Sequence, residues 1–316
     1  LRVVFLGSPA FAVPSLVALA EDDNIDVALV VTQPDRPAGR GRTLTAPAVK
    51  TAALERGLPV YQPMSLRKDD AVQPLRDARP DVLIVVAYGE LLRRNVLELT
   101  PHGCLNVHPS LLPRYRGAAP IPAAIINGDE LTGVSIMRLV RKLDAGPIVM
   151  QVEAPVYPDD TTASLSERLA ALSASILPDV TLRYVAGELR PVEQDEALAT
   201  HTREWTTEDA RIDWNQPAIT IERLVRAANP WPIAWTTDGE LRLRIVQASL
   251  GQESATAPPG TASLQDGALV VATGDGELRL DVVQPAGKRA MAATDWWRGT
   301  RRAATLLGSP PVSRSS

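Results

Sequence analysis

Asn106, His108 and Asp144 are the residues of this sequence whose types and spacing can do chemistry. The first two lie two positions apart in the apolar run Cys104-Leu105-Asn106-Val107-His108, which stops at Pro109. Residues i and i+2 of a strand share a face, so an amide and an imidazole project side by side where strand gives way to loop. That is a small hydrogen-bonding site. A single Asn or His near a strand end also serves as a satisfied structural residue, and the pair alone leaves both readings open. The next dozen residues favour a site: Pro109, Pro113, Gly117 and Pro120 constrain the backbone, and Arg114 and Arg116 add two positive charges. A loop so restricted is a positioned one. Asp144, before Ala145-Gly146-Pro147, has the local sequence of a turn former. It comes after an expected strand at 134–139. If that strand neighbours the Asn106-His108 run, the carboxylate can fix the imidazole tautomer and stabilise its protonated form.

The elements that must position these groups can be read in outline. At 316 residues, the chain is long enough for two domains, and 45% hydrophobic with 22% charged residues is ordinary globular composition. A net charge of -4 argues against a general nucleic-acid coat, though not against a local basic site. No apolar run approaches the ~18 residues of a membrane span, and no signal-peptide pattern opens the chain, so no membrane role and a cytoplasmic location are expected. One cysteine and three dispersed histidines give no metal-ligand spacing. Apolar runs at 2–7, 27–32, 59–61, 81–88, 104–108 and 134–139 alternate with helical stretches. They predict a mainly parallel sheet covered on both faces, an α/β fold that binds ligands at its strand ends. Gly7-Ser8-Pro9 lacks the further glycines and the lysine of a nucleotide-binding loop, which disfavours hydride chemistry.

Residues 33–50 carry Arg36, Arg40, Arg42 and Lys50 against Asp35 alone. The segment reads either as a solvated loop or as a basic arm for phosphate or nucleic acid. Residues 161–187 predict a long helix with Gly187 as its stop and Pro178 as a kink or division. The boundaries read as a first domain at 1–187, a polar linker at 188–209 and a second domain at 210–316. In the last of these, short strands with Gly/Asp turns predict a small β-barrel. Its end combines Lys288, Arg289, Arg298, Arg301 and Arg302 with Trp296 and Trp297. Such a mixture either binds nucleic acid or packs its rings on the barrel.

The stretch HPSLLPRYRGAAP, with Asn106 just before it and LDAGPIV some thirty residues on, resembles the folate-dependent formyltransferases. FLGSPAFAVPSL, TQPDRPAGRGR, EDARIDW, NPWP, PGT, ATGDGELRL and QPAGKRAM extend the likeness to both ends and resemble the branch of that family acting on initiator tRNA. The resemblance implies a Rossmann-like first domain and an OB-like tRNA-binding barrel. It implies formyl transfer from 10-formyltetrahydrofolate to the α-amine of methionine on initiator tRNA, by a monomer without metal. Asn106 and His108 would donate to the developing oxyanion, with Asp144 orienting His108 and helping to move the amine proton. Tyr88, Gly89, Glu90, Leu91, Ser110, Leu111, Leu112 and Pro113 would surround the folate, Ser110 capping its loop. Arg36, Arg40, Arg42, Lys50, Arg203, Lys288 and Arg289 would meet the tRNA, the loop reading an unpaired first base pair of the acceptor stem. His201-Thr202-Arg203-Glu204 stands where family members commonly carry Tyr-Ala-x-Lys, so Arg203 is the substitute expected there for a linker lysine. An amino-sugar formyltransferase or a non-catalytic RNA-binding relative is the alternative; the first would replace the basic loop and the second would lose one of Asn106, His108 and Asp144.

Overall fold

The computed structural model of the chain describes residues 1–38 and 43–308. Two compact units emerge, the first comprising residues 1–120, 131–155 and 166–202, the second 121–130, 156–165 and 203–316. In chain order the elements begin with β1 (Arg2–Gly7), α1 (Val13–Ala20), β2 (Asp26–Val31), the short β3 (Arg36–Ala38) and β4 (Thr43–Thr45), α2 (Ala48–Glu55), β5 (Val60–Tyr61) and α3 (Asp69–Asp77). They continue with β6 (Val82–Val86), α4 (Arg94–Leu97), β7 (Cys104–His108), β8 (Arg116–Gly117), α5 (Pro120–Asn127), β9 (Leu131–Arg138), β10 (Ile148–Pro155), α6 (Thr162–Val185) and β11 (His201–Thr202).

The first unit is built on a sheet of order β10-β9-β7-β6-β1-β2-β5. Its pairings from β7 to β5 are parallel, and β9 and β10 join antiparallel. The mainly parallel sheet read from the sequence is therefore present. β6 is buried at all its residues, Val-Leu-Ile-Val-Val, because β-branched side chains fill both faces of a covered parallel strand. β9 lies beside β7 with Ser135 opposite His108, so the strand that leads towards Asp144 does neighbour the Asn106-His108 strand. α6 runs unbroken through Pro178, and Gly187, at φ +77°, ends it in the left-handed conformation that glycine adopts without steric cost.

The expected linker at 188–209 needs correction. Residues up to Thr202 belong to the first unit, where β11 pairs parallel with β8 and Val192 bridges Ile148. Their polar side chains, Gln194, Glu196, Thr200 and Thr202, are spent on groups near the site, which is why the segment shows no apolar periodicity although it is packed.

The second unit adds α7 (Ala218–Ala227), β12 (Trp235–Asp238), β13 (Leu241–Leu250), β14 (Thr261–Gln265), β15 (Ala268–Ala272), β16 (Glu277–Pro285), β17 (Met291–Ala292), α8 (Ala293–Thr300) and β18 (Ala304–Leu306). Antiparallel strands in the order β12-β13-β16-β15-β14-β18 form a nearly closed barrel, in which the Gly308 N–H reaches the Thr237 carbonyl at 2.8 Å. Trp214, Trp235 and Trp297 lie in its core, and Trp296 packs against them. The aromatic rings of the C-terminal basic stretch thus serve burial, leaving its cations on the surface.

β8 and β11 approach closely at Gly117, whose φ is +108° and where a Cβ would stand 2.1 Å from the Thr202 carbonyl oxygen. Gly117→Ala is expected to destabilise the chain by about 2 kcal/mol or more, through backbone strain and overpacking together. Urea unfolding measures it, and a loss under ~0.5 kcal/mol, the range of an ordinary surface change, would show the approach to be pliable.

Candidate functional site

Asn106 and His108 project from the end of β7, as period-two geometry requires. His108 is 5% exposed. Its Nε2 lies 2.9 Å from the Tyr115 carbonyl oxygen. A carbonyl only accepts, so Nε2 carries the proton and the neutral ring presents Nδ1 as a lone pair. That nitrogen faces Asp144 Oδ2 at 3.8 Å, beyond hydrogen-bond distance. The backbone of Tyr115, rather than Asp144, therefore fixes the tautomer. Asp144 Oδ2 instead accepts the Gly117 N–H at 2.8 Å. Burial pushes the His108 pKa below its usual value, while the Asp144 charge and the Tyr115 carbonyl pull it upward. The Asn106 amide makes no hydrogen bond to another described residue.

Tyr115 and Asp144 both hold positive φ, +61° and +47°, and surrounding bonds impose these costly conformations. Thr200 Oγ1 accepts the Tyr115 N–H at 2.8 Å, and Gln194 Nε2 donates to the carbonyls of Asp144 and Gly146 at 2.9 and 2.7 Å. Arg116, expected to supply charge to the site, is fully buried and bonded to Gln194 and Glu196. Hydrogen bonds from Arg116 and Lys142 hold the Glu196 carboxyl at about 2. Arg114 lies over the Tyr115 ring, 4.9 Å from its centroid. Both arginines thus build the loop.

Ser110 Oγ donates to the Arg114 carbonyl at 2.6 Å, the loop-capping role expected of it. Ser135 Oγ donates to the Ser110 carbonyl and accepts the Leu112 N–H, while Gln151 Nε2 reaches both Ser135 Oγ and the Leu112 carbonyl. Leu112 is buried and the backbone groups of Ser110 and Leu112 are taken up in these bonds, whereas Leu111 is half-buried. At the end of β6, the Tyr88 side chain points into the core, and Glu90 is held by Ser65 Oγ at 2.5 Å and the Leu66 N–H at 3.0 Å. The backbone of residues 89–92 makes no hydrogen bond to another described residue, and Leu91 is 67% exposed. Two pockets, of about 660 and 530 Å3, meet at Gln33 and Gly89.

The basic residues divide into engaged and available. Arg40 and Arg42 lie outside the described residues. Lys50 is paired with Asp35 at 2.7 Å, and Arg36 Nη2 donates to Gln33 Oε1 at 3.0 Å. Arg203, expected to replace a linker lysine, is bound to Asp209, which also accepts both polar hydrogens of Thr206. Its charge is consumed in closing that turn. Lys288 and Arg289 are exposed, with no side-chain partner among the described residues. Ser8, Tyr115, Gln151 and Gln194 are positioning residues that sequence reasoning misses; each acts through backbone or a distant segment, and no local pattern announces it. Cys104 is buried with its thiol pushed up to about 12, which unsuits it as a nucleophile. Among the described residues there is no metal-binding cluster and no helix long and apolar enough to cross a membrane.

The chain thus carries this polar trio at the strand ends of a mainly parallel sheet and adds an antiparallel barrel. Residues 1–181 match the family described as formyl transferase, and residues 205–301 match its C-terminal domain. The chain is 52% identical over 302 residues to the methionyl-tRNA formyltransferase of Roseiflexus castenholzii, covering 95% of this chain and 96% of that one. It belongs to the methionyl-tRNA formyltransferase family. The fold is also similar to the methionyl-tRNA formyltransferase of Clostridium thermocellum, with TM-score 0.57, 15% identity, and coverage of 79% of this chain and 94% of that one. HypX from Aquifex aeolicus, crystallised with tetrahydrofolic acid, gives TM-score 0.62 at 18% identity; 93% of this chain is covered, but only 46% of that longer protein.

With burial holding His108 neutral at pH 7, removing a nearby anion favours the neutral ring further. In Asp144→Asn the His108 ring is expected to titrate at a still lower pH than in the unaltered chain, as monitored by NMR of the ring protons. An unchanged or raised midpoint would dissociate Asp144 from the imidazole.

Proposed function

We propose that this chain transfers the formyl group of 10-formyltetrahydrofolate to the α-amine of methionine esterified to initiator tRNA, producing the N-formylmethionyl-tRNA used in translation initiation. The observation that carries this reading is the 52% identity, over nearly the whole of both chains, with an enzyme named methionyl-tRNA formyltransferase. The side chains at the end of β7 suit what such a transfer demands.

Three demands arise: the amine must lose a proton, the formyl oxygen gains negative charge, and the departing nitrogen needs a proton. When bound, the donor supplies the formyl carbon as an amide at its N10. Asn106, with its amide unengaged, donates to the oxygen as charge develops. His108, neutral and bare at Nδ1, accepts the amine proton. Asp144, 3.8 Å from Nδ1, stabilises the positive ring that results. Nδ1–H is then a donor, to the same oxygen or to the departing nitrogen. The Tyr115 carbonyl keeps Nε2 out of this exchange, so one nitrogen serves both proton steps.

For the folate we assign the backbone of residues 89–92 and the turn Ser110, Leu111, Leu112 and Pro113, which offers its shape because its backbone groups are mostly paired within the chain. Unpaired N–H and C=O groups at the former fit the hydrogen-bonding edge of a fused heterocycle. Tyr88 and Pro113 shape these turns, Gly89 and Leu91 face outward, and Glu90 contributes through its main chain. For the tRNA we assign Lys288 and Arg289 to the phosphate backbone, and Arg36, Arg40 and Arg42 to the acceptor end, where unstacked nucleotides are readable. Lys50 holds the base of the arm through Asp35, and Arg203, exposed but paired with Asp209, is assigned to the tRNA as a weaker contact.

Radiolabelled formyl donor incubated with charged initiator methionyl-tRNA, elongator methionyl-tRNA and an amino-sugar nucleotide tests the reading. Label is expected on the initiator alone, and label on the sugar alone would overturn it. His108→Ala should bind both substrates and turn over at least ~10²-fold more slowly; near-normal turnover would remove His108 from the chemistry. Lys288→Ala and Arg289→Ala should each weaken tRNA binding and reduce the slope of log affinity against log salt by about 1, leaving donor affinity intact. An unchanged slope would place phosphate contact elsewhere.

A further inference from the structure

Residues 192–202 read in sequence as a tether, yet their polar groups converge on the imidazole from two sides. Thr200 spends its hydroxyl and both backbone groups on the loop after β7. Its Oγ1 accepts the Tyr115 N–H at 2.8 Å, its N–H donates to the Pro113 carbonyl at 3.2 Å, and its carbonyl accepts the Arg116 N–H at 2.9 Å. These bonds hold Tyr115 at φ +61°, a costly conformation, with its own carbonyl oxygen 2.9 Å from His108 Nε2.

Gln194, earlier in the same segment, acts on the other side of the ring. Its Oε1 accepts from Arg116 Nε and Nη2 at 3.0 and 2.8 Å, and its Nε2 donates to the Asp144 and Gly146 carbonyls at 2.9 and 2.7 Å. A guanidinium only donates and a carbonyl only accepts, so this amide fits one way round. It pins the turn whose Asp144, at φ +47°, sets its carboxylate 3.8 Å from His108 Nδ1. Asp144 is the charged group that acts on the ring. Arg114 is turned onto the Tyr115 ring, Arg116 onto Gln194 and Glu196, and the flanking strands bring Ser135 of β9 and the apolar β6.

We infer that Thr200 and Gln194 are positioning residues for the transfer, each governing a different nitrogen of His108. Thr200 keeps the resting proton on Nε2 through the Tyr115 carbonyl. Gln194 keeps the Asp144 carboxylate where it stabilises the ring once Nδ1 has taken a proton. These roles rest on the formyl-transfer reading and deepen it. Because the two side chains act on opposite nitrogens, their losses leave different signatures.

The test follows the ring and the reaction together in Thr200→Val, Thr200→Ser, Gln194→Met and Gln194→Asn. Donor binding and thermal unfolding establish that each variant is folded, and the second variant of Gln194 guards against the first failing to fold. Nitrogen NMR of the His108 ring should show the proton on Nε2 in the unaltered chain. Thr200→Val should move part of that population to Nδ1, and Thr200→Ser, which keeps the hydroxyl, should restore it. Both Gln194 variants, one without the amide and one with it too short to reach, should keep the tautomer and lower the pH at which the ring charges, because a retreating carboxylate stabilises the imidazolium less. With the formyl donor and charged initiator methionyl-tRNA, kcat should fall at least ~10-fold in Thr200→Val and in both Gln194 variants, each KM changing by less than about twofold. In the Gln194 variants the acid limb of the kcat profile should follow the ring to lower pH. An unmoved ring, or a moved ring with kcat intact, in folded variants would overturn the positioning roles and leave formyl transfer standing. No transfer by the unaltered chain would overturn the formyl-transfer reading and these roles with it.

Discussion

The site depends on one hydrogen bond, from His108 Nε2–H to the Tyr115 carbonyl. It decides which ring nitrogen is left bare, and it requires the chain to turn back on itself within seven residues of leaving β7. The turn is held by burying Arg116 completely. A buried guanidinium costs several kcal/mol unless it is paired and hydrogen-bonded, and its partners, Gln194 and Glu196, lie far away in sequence. Gln194 also donates to the Asp144 and Gly146 carbonyls. The same side chain thus joins the segment that presents the imidazole's acceptor to the one that presents the carboxylate.

How much of this is legible from sequence depends on how local each cause is. The Asn106-His108 pairing needs only the two-residue period of a strand, and the parallel sheet needs only runs of apolar, β-branched residues. Both survive the absence of tertiary information. The acceptor of the His108 proton does not, because a backbone carbonyl carries no residue type. Arg116 reads in sequence as a charge offered to a ligand, since a buried structural arginine and an exposed binding arginine look alike in one dimension. The segment through Thr202 reads as a linker for a related reason: low apolar periodicity marks a solvated tether and equally a strip whose polar groups satisfy buried partners. Trp296 and Trp297 are ambiguous between stacking platform and core, and the barrel's need for large apolar volume decides it.

The same sorting explains how an acidic chain can present a basic surface. Lys50, Arg116 and Arg203 each face a carboxylate, and their fields are largely cancelled over the distances that matter to a polyanion. Lys288 and Arg289 sit in the turn between β16 and β17 without such partners among the described residues. Local imbalance, rather than net charge, sets where a phosphate backbone is attracted.

In the proposed transfer, the 3.8 Å between His108 Nδ1 and Asp144 Oδ2 is the spacing that lets one ring both accept and donate. A carboxylate in direct contact with Nδ1 would hold a proton there. Nε2 would then either turn a bare lone pair towards the Tyr115 carbonyl or keep its own proton and leave the ring charged at rest. At the observed separation, burial outweighs the carboxylate's attraction and the ring stays neutral, ready to take a proton. Once it has taken one, the same carboxylate, itself held in place by the Gly117 N–H, stabilises the charge without first having to reorganise. Gly117, required by the close approach to Thr202, therefore sets the position of a charge as well as the course of the backbone. The packing of β8 against β11 and the proton chemistry proposed at β7 answer to the same few ångströms.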